Sequence, residues 1–537
     1  MSDVSRQEST PQGTVMAGES HMEAGSEPGC TPEAGAEIPT TDHSSDGLPA
    51  CVLPTIRRLF DELEARGIRY CHWKSNIRLA AVLAGREDLD ILVDRRDAAR
   101  IHTVLPELGF KWMRSYAGLD HPGVVHALAL EDTTGQLVHL HAYYGIVSGD
   151  SLVKSYRLPV EQALLDQTGT LLGVRRPAAA TELVLFVLRI LLKHVSPVEI
   201  YKVNQHYRDV VAELAWLRAA AVADQVESVL ARYFPMIKPA LFHQLIEAVA
   251  DQRAWWRRAV LGGRVAWRLR DRRRLGPVHA VMSRTWRLGA LALGRVGRRR
   301  DLVPLTGGAI VALVGPKATG KSTLARELER RLGRHLRVVR IHAGKPPPTL
   351  LSCMPALFLP LVRALLPQER AGEYQKPERR GTGRYSLLYV LRVTLIARDR
   401  RRLLIRAFRW AAGGAVVISD RYPSSSAGAT DSSCFGEDAL ANAGSPLKRW
   451  LMAKERQCYS DLPQPLLVLR LVAPLASAVK RDATRDKPDR PDADVVRRRR
   501  DLETRAEFPG VPTTVIDTDR PLDETVLSVV RVVWRAL

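Results

Sequence analysis

One short glycine-containing loop, GPKATGKS at residues 315–322, constrains the fold of this chain more than any other feature. The six residues before it, 309–314, form a continuous apolar run, which is the pattern of a strand buried on both faces. The residues after it, 323–332, repeat leucine at helical spacing. A loop of this composition between a buried strand and a helix is typical of phosphate-binding α/β proteins. We therefore expect a parallel sheet with flanking helices here.

The positions of this loop have predicted tasks in binding ATP. Gly315 and Gly320 allow the backbone to curl, so that N–H groups and the helix N-terminus face a polyphosphate. Lys321 would reach the β- and γ-phosphates, and the Ser322 hydroxyl would ligate Mg²⁺. A glycine-rich turn that caps an ordinary helix is the alternative, and the flanking strand argues against it. The predicted nucleotide contacts are Gly315, Pro316, Lys317, Ala318, Thr319, Gly320, Lys321, Ser322 and Thr323.

A charged pair follows a second predicted strand. Residues 414–419 are largely apolar and end in Asp420 and Arg421. Because ligands collect at the carboxyl ends of parallel strands, we expect both side chains beside the loop. Asp420 would hold Mg²⁺ or accept a proton from the acceptor group, and Arg421 would neutralise charge on the transferred phosphoryl group. An exposed charged pair that opens a turn is the alternative interpretation.

Three more segments accompany the loop in order: VVISDRY at 416–422, LLVLRL at 466–471 and a closing strand and helix from Val515 onward. Together they resemble the thymidylate kinase family of nucleoside monophosphate kinases over residues 305–537. The resemblance implies a P-loop NTPase fold, ATP and Mg²⁺ as cofactors, and a small phosphoryl acceptor. It also implies that Arg485 and Arg490 lie in a lid that closes over ATP and supplies positive charge.

The chain departs from that family on the acceptor side. Lys317 stands where members usually carry an aspartate, and residues 344–348 read GKPPP instead of an Arg-Glu-Pro segment. The usual contacts to a thymine base cannot be traced between residues 350 and 400. Arg392 and Arg398, on a predicted helix, are candidates to hold an acceptor phosphate. The acceptor is therefore open between a nucleotide and a phosphorylated sugar.

The N-terminal half carries an Asp-x-Asp pattern. Asp88 and Asp90 are two residues apart in a predicted strand, so both carboxylates lie on one face, where they can hold Mg²⁺ against a triphosphate. The pair Lys74-Ser75 precedes them. This arrangement resembles the nucleotidyltransferase superfamily, which implies a third carboxylate on a later antiparallel strand. That strand is predicted over 136–141, in a hairpin with 127–131, and His139 stands in the place of the carboxylate. Histidine can ligate a metal but adds no negative charge, so the domain is either an active transferase or a degenerate one.

Length predicts two or three domains in these 537 residues, each with its own core. Residues 1–48 read as a disordered acidic tail, with nine acidic residues against one arginine. A nucleotidyltransferase-like α+β domain is predicted over 49–176, a helical region with a basic connector over 177–304, and the P-loop domain over 305–537. The chain carries a net charge of +22. Because the tail is acidic, the folded part is strongly basic.

Arginines are densest from residue 253 to 300, where four tryptophans are interleaved among them. A helical connector is the favoured interpretation, peripheral contact with an anionic membrane is second, and nucleic acid is less favoured. The six cysteines are scattered, and no apolar run reaches the length of a membrane span. Together with the ATP-dependent motifs, these features favour a cytoplasmic protein.

The sequence thus predicts a cytoplasmic phosphotransferase that uses ATP and Mg²⁺, fused to a domain that resembles a nucleotidyltransferase. Two alternatives stay open. The chain could be an ATP-binding regulatory or scaffold protein of sugar or polysaccharide metabolism without turnover. It could instead be an enzyme that modifies nucleic-acid ends, in which case its binding to nucleic acid would depend steeply on salt.

Overall fold

The computed structural model describes residues 52–116, 118, 120–296, 302–349, 352, 385–425, 431–483, 503 and 506–537. The predicted acidic tail over 1–48 and the predicted lid residues Arg485 and Arg490 lie outside the described residues. Most of the expected acceptor-side segment, residues 353–384, lies outside them as well. Every described helix is too short or too polar to cross a bilayer.

The described strands and helices follow one another in mixed order along the chain. The strands are β1 Tyr70–His72, β2 Leu89–Val93, β3 Lys111–Ser115, β4 Val124–Leu130, β5 Leu137–Tyr143, β6 Ile146–Ser148, β7 Tyr156–Leu158, β8 Thr168–Leu171, β9 Val174–Pro177, β10 Leu302–Pro304, β11 Ala309–Val314, β12 Val338–Ile341, β13 Val416–Asp420, β14 Leu467–Val472 and β15 Thr513–Asp517. The helices are α1 Pro54–Ala65, α2 Leu79–Leu83, α3 Ala98–Glu107, α4 Glu161–Asp166, α5 Ala179–Lys193, α6 Pro197–Gln205, α7 Tyr207–Ala220, α8 Ala223–Tyr233, α9 Pro239–Ala250, α10 Trp255–Arg268, α11 Pro277–Val296, α12 Lys321–Leu332, α13 Leu387–Ala412, α14 Glu437–Ala441, α15 Pro446–Tyr459, α16 Leu475–Ala483 and α17 Leu522–Ala536.

The C-terminal half contains a five-stranded sheet in the order β12-β13-β11-β14-β15, and all neighbouring strands are parallel. The central strand β11 is buried along its whole length. Val311 and Leu313 pack with residues of α12 and α17 on one face, while Ile310 and Ala312 pack with residues of α13 on the other. Both faces are covered, which explains why the strand reads as an unbroken apolar run.

The N-terminal half contributes a six-stranded mixed sheet in the order β1-β2-β5-β4-β3-β10. Only β2 and β5 run parallel among its neighbouring pairs in the described chain. The predicted hairpin is confirmed, since β4 and β5 pair from Leu130 with Leu137 onward. Leu89 and Ile91 of β2 join a core with α1 and α3, so the intervening Asp90 belongs to the opposite face.

The last strand of this sheet comes from the far end of the connector. β10 pairs antiparallel with β3, placing Leu302 opposite Ser115, and β11 of the other sheet begins only five residues after β10 ends. One hydrophobic cluster also contains Met113 and Leu137 from the first sheet together with Leu313 from the second. The two sheets therefore share part of their core.

The helical region between the sheets surrounds α5, which is buried on nearly every side. Its basic stretch uses arginines to attach to neighbouring segments. Arg258 is fully buried against the Tyr207 ring, and the guanidinium of Arg274 donates to the carbonyl of Val153 at 2.9 Å. Arg284 pairs with Asp150 at 3.2 Å. The tryptophans of the stretch remain exposed: Trp255, Trp256, Trp267 and Trp286.

Candidate functional site

The phosphate loop, residues 315–322, joins the end of β11 to the start of α12. Gly315 has φ of 138°, and a Cβ built there would lie 2.3 Å from the carbonyl oxygen of Leu471. Only glycine avoids that clash. Ala318 and Gly320 also have positive φ, at 67° and 85°. The loop therefore curls as the sequence predicts, and α12 starts at Lys321 directly after it.

Lys321 lies back across this loop. Its ammonium donates to the carbonyl oxygens of Gly315 at 2.6 Å and Pro316 at 2.7 Å. Thr319 donates to the same Pro316 carbonyl at 2.8 Å. Burial lowers the pKa of Lys321 to about 8. The charge of this lysine is thus held by neutral acceptors, an arrangement that a polyphosphate would improve.

Ser322, in the first turn of α12, meets Asp420, the last residue of β13. Asp420 ends β13, and the parallel register pairs it with Leu313 of β11, just before the loop. The Ser322 hydroxyl donates to Asp420 Oδ2 at 2.5 Å. Asp420 Oδ1 is buried and has no hydrogen-bond partner in the described part of the chain. A hydroxyl beside an unsatisfied carboxylate oxygen is a donor set that suits Mg²⁺, so these two residues fit the ion.

Arg421, which follows Asp420, belongs to an ion-pair network with Asp431. Its φ is 91°, and its guanidinium pairs with Asp431 Oδ2 at 3.0 Å. The buried Arg400 pairs with Asp431 Oδ1 at 2.9 Å and also donates to the carbonyl of Ala343 at 2.8 Å. Asp431 therefore forms ion pairs with two guanidinium groups in the cleft beside the loop. A cleft there is lined by Gly315, Lys321, Arg421, Tyr422, Asp431 and Glu503.

Sequence reasoning missed Arg400 and Asp431. Arg400 is one of many arginines on α13, and Asp431 follows a serine-rich segment with no motif of its own. The only signal was their position: α13 precedes β13, and Asp431 follows Asp420 by eleven residues. Of the predicted catalytic residues, the structure brings Lys321, Asp420 and Arg421 together.

Of the predicted metal residues, Asp90 lies on β2 of the six-stranded sheet and Asp88 directly precedes that strand. The register places Asp90 opposite His141 on β5, and His141 opposite His126 on β4. His141 Nδ1 lies 2.9 Å from Asp90 Oδ1, and the Lys74 ammonium lies 2.9 Å from the same oxygen. Burial would raise the pKa of Asp90, but Lys74 and His141 hold it well below its usual range.

The neighbouring row contains Asp88 and His139. His139 Nδ1 lies 3.0 Å from Asp88 Oδ1, and His139 Nε2 lies 3.2 Å from His126 Nδ1. His335, from the segment after α12, brings its ring centroid to 5.4 Å from that of His139. We call His126, His139, His141 and His335 the histidine cluster. Burial lowers the pKa of His126 to about 3, and it also lowers the pKa values of His141 and His335.

These contacts bear on how well the Asp-x-Asp pair suits Mg²⁺. One oxygen of Asp90 is shared by an ammonium and an imidazole, and Asp88 is paired with His139. Mg²⁺ prefers oxygen ligands, and the groups closest to both carboxylates are nitrogens. The pair therefore fits Mg²⁺ less well than Ser322 and Asp420 do.

A group of cations lies next to Lys74. Arg189 stacks over the Trp73 ring at 4.8 Å, and the Lys154 ammonium lies 5.9 Å from the centroid of Tyr143. Burial lowers the pKa of Lys154 to about 7, and nearby cations add to that effect. Burial and the charge of Arg189 lower the pKa of Lys193 to about 8. We call Lys74, Lys154, Arg189 and Lys193 the cation cluster. Positive groups this close favour an anionic ligand.

Comparisons with known proteins give limited similarity. No protein-family profile matches the chain. Over 186 residues the chain is 28% identical to YghR, an uncharacterized ATP-binding protein of Escherichia coli K12, a match that covers 33% of this chain and 70% of that protein. The YghR protein of E. coli O6:H1 strain CFT073 matches with the same identity and coverage. An unliganded sugar kinase structure from Janibacter sp. HTCC2649 covers 42% of this chain and 94% of its own, at 15% identity and a TM-score of 0.23. A TM-score this low does not establish a shared fold. Across about one third of its length, the chain is thus similar to an ATP-binding protein.

Proposed function

We propose that this chain is an ATP- and Mg²⁺-dependent phosphotransferase that transfers a phosphoryl group to a small acceptor. The carrying observation is the meeting of Ser322 and Asp420 beside the curled phosphate loop, with Asp420 Oδ1 buried and without a partner among the described residues. The name of the E. coli relative, an ATP-binding protein, supports nucleotide binding. The resemblance to thymidylate kinases favours a nucleotide as acceptor, and the fusion to a nucleotidyltransferase-like domain favours a phosphorylated sugar.

The residues of the loop would act mainly by binding and charge neutralisation. Backbone N–H groups of the curled loop would donate to the phosphates, and Lys321 would exchange two neutral carbonyl acceptors for charged phosphate oxygens. Ser322 and Asp420 would hold Mg²⁺, which supplies positive charge at the β- and γ-phosphates. Because phosphoryl transfer needs little covalent chemistry from the protein, positioning and charge account for most of the catalysis.

The acceptor side would be organised by Asp431. Two guanidinium groups, from Arg400 and Arg421, pair with its two carboxylate oxygens and leave it at the mouth of the cleft. Arg421 would add positive charge to the transferred phosphoryl group. In this proposal, Asp431 fixes Arg421 in place and Asp420 serves the metal.

The test is ADP release by the purified full chain with Mg²⁺ and ATP. The acceptor panel contains nucleoside monophosphates, sugars and sugar phosphates. Turnover that is stimulated by one class of acceptor, and lost in Lys321→Ala, would establish the kinase and identify the acceptor class. Tight ATP binding without turnover on any acceptor would favour the regulatory or scaffold alternative.

A second function is favoured by the cation cluster. We propose that the N-terminal half binds a phosphorylated ligand there, beside Trp73 and Tyr143. Burial lowers the pKa of Lys154 to about 7, and nearby cations add to that effect, so an anionic ligand would stabilise the charged form of this lysine. Binding would therefore take up a proton above pH 7, and affinity would fall as the pH rises from 7 to 9.

Inorganic tripolyphosphate and nucleoside triphosphates are the probes for this second function. The Lys321→Ala background is used, so that loss of the phosphate-loop lysine weakens binding at the other site. Calorimetry in buffers of different ionisation enthalpy reports the proton uptake. Removal of binding by Lys154→Met, with no change in Lys454→Met at an exposed position of α15, would support the site. Equal binding by both variants would refute it.

We propose no role in nucleic-acid chemistry, because several arginines of the basic stretch, including Arg274, Arg284 and Arg287, already make contacts within the chain.

The exposed tryptophans Trp267 and Trp286 favour peripheral contact with an anionic membrane. Co-sedimentation with vesicles of neutral and of anionic lipid tests this contact. Binding to the anionic vesicles alone, reduced in Trp286→Ala, would support this contact. Binding to neither kind of vesicle would exclude it.

A further inference from the structure

We propose that the histidine cluster is a binding site for a divalent transition-metal ion of the Zn²⁺ class, with His126, His139 and His141 as ligands. The inference is independent of the phosphotransferase proposal, because the cluster lies on the six-stranded sheet and not at the phosphate loop. The donor atoms of these three side chains all lie within 4.8 Å of one another. Imidazole suits Zn²⁺, Cu²⁺, Fe²⁺ and Ni²⁺, whereas Mg²⁺ prefers oxygen.

The sheet register is the reason that the three rings converge. His139 and His141 alternate on β5, so both side chains lie on the same face, and His126 faces His141 from β4. The 3.2 Å between His126 Nδ1 and His139 Nε2 is close to the separation of two ligands on a tetrahedral ion. Metal–nitrogen bonds of about 2.0–2.1 Å give an edge of about 3.3–3.4 Å. The rings of His126 and His139 therefore need little movement to share one ion, and the ligand atom of His141 lies within 4.8 Å of theirs.

The two carboxylates of the Asp-x-Asp pattern orient these rings. His139 Nδ1 lies 3.0 Å from Asp88, and His141 Nδ1 lies 2.9 Å from Asp90. An ionised carboxylate only accepts hydrogen bonds, so both Nδ1 atoms carry the proton and both Nε2 atoms offer a lone pair. A carboxylate that fixes the tautomer in this way is the usual partner of a metal-ligating histidine. Asp88 and Asp90 are thus positioning residues.

The site lies where the two sheets meet. A second convergent group contains Asp88, His139 and His335, and their donor atoms also lie within 4.8 Å of one another. His335 follows α12, the helix that begins at Lys321, by three residues. An ion held by the three strand histidines would therefore lie beside the segment that leaves the phosphate-loop helix.

Cobalt is the probe for this site, because Co²⁺ replaces Zn²⁺ and its visible absorption reports coordination by nitrogen. The full-length chain is stripped with a chelator and titrated with Co²⁺ without nucleotide, and then Zn²⁺ is added to displace the cobalt. We expect one Co²⁺ to bind per chain, and we expect Zn²⁺ to displace it while the same concentration of Mg²⁺ does not. Absence of a saturable band, or displacement by equal Mg²⁺, would overturn the proposal.

The ligand variants are His139→Ala combined with His141→Ala, and His279→Ala is the matched control on exposed α11. We expect at least 100-fold weaker Co²⁺ binding in the double variant and no change in the control. If thermal unfolding shows that the double variant does not fold, His126→Ala serves instead, because its ring makes no hydrogen bond to either carboxylate. Unchanged binding in the folded ligand variant would refute the assignment.

Two more variants separate ligands from neighbours. Asp88→Asn should weaken Co²⁺ binding by about 10–100-fold, as is usual when an orienting carboxylate is lost, and should shift the absorption band. His335→Ala should retain one Co²⁺ per chain with an unchanged band. Loss of the ion in His335→Ala would contradict the three-ligand assignment.

Discussion

The phosphate loop and the surroundings of the histidine cluster both contain a Lys-Ser dipeptide, but its lysine has different partners at the two sites. Lys321-Ser322 lies near Asp420, and Lys74-Ser75 lies near Asp90; each aspartate is on a buried strand. At the loop, the serine contacts Asp420 and the lysine donates to backbone carbonyls. At the cluster, it is Lys74 that pairs with the strand aspartate, Asp90. The first arrangement leaves an aspartate oxygen and a lysine charge for a ligand, whereas the second neutralises its carboxylate with protein groups. Similar local motifs therefore indicate different chemistry.

The largest effect should come from removing the loop lysine. In Lys321→Ala we expect turnover to fall by about 10²–10³-fold, the range seen when one preorganised charge-stabilising donor is lost. ADP release against the best acceptor measures this. Lys454→Ala, which changes an exposed lysine on α15, is the matched control and should retain most activity. Wild-type turnover in the Lys321 variant would show that the site has been assigned wrongly.

Asp420→Asn should have the next largest effect, a loss of about 10²-fold in turnover with ATP still bound. The amide keeps the shape of the side chain but removes the charge that would hold Mg²⁺. Turnover is measured against Mg²⁺ concentration, and the Mg²⁺ dependence should move to higher concentrations. Co²⁺ uptake by the histidine cluster should not change in this variant. A parallel loss at both sites would mean that the two sites are not separate.

Lys74→Met should affect stability and leave ADP release unchanged. Removing one partner of a mostly buried ion pair leaves Asp90 with only His141, so we expect a loss of about 2 kcal/mol in the free energy of unfolding. Urea denaturation measures this loss. The double variant Lys74→Met with Asp90→Asn should recover part of it, because the uncompensated carboxylate is gone. No recovery would indicate that packing of the lysine stem matters more than its charge.

The smallest effect should be a change in pH dependence at Glu182. This carboxyl is buried on α5, where it accepts a hydrogen bond from the Asn76 amide at 2.8 Å, and burial raises its pKa to about 7. The folded state therefore binds a proton that the unfolded state has lost above about pH 4.5. The stabilisation is full below pH 4.5 and disappears as the pH rises through 7.

Glu182→Gln, which has the same shape and no charge, should remove this dependence. We expect the wild type to lose about 1–2 kcal/mol relative to the variant between pH 5 and pH 8. Denaturation curves at several pH values measure the difference. Parallel curves for the two proteins would show that Glu182 does not titrate in this range.

The phosphate-loop region could be predicted because its signals are contiguous. β11 begins and ends where the apolar run does, at Ala309 and Val314, and α12 follows the loop directly. The strand that ends at Asp420 and the hairpin of β4 and β5 were also predicted, since strand burial on one or two faces fixes a short local pattern. Neighbouring strands then bring their carboxyl ends together, which accounts for Ser322 and Asp420.

The surroundings of both sites could not be predicted. Asp431 and Arg400 pair across 31 positions of sequence, and neither residue belongs to a motif. His335 approaches His139 from the turn after α12, 196 positions away. β10 adds to a sheet whose other strands precede it by at least 159 residues. Charged and imidazole side chains are common on protein surfaces, so their type alone does not indicate which ones meet.

The sequence by itself determined the strand–loop–helix unit around residues 315–322 and the predominance of arginine. It also placed Asp88 and Asp90 on one face of their strand, and His139 and His141 on one face of theirs. These features depend on periods of two or 3.6 residues and on backbone chemistry that acts between neighbours. Only the tertiary structure decided that the Asp-x-Asp strand lies in register beside the His-x-His strand, and that the two sheets share a core. Register and packing depend on contacts between distant segments, which a local pattern does not contain.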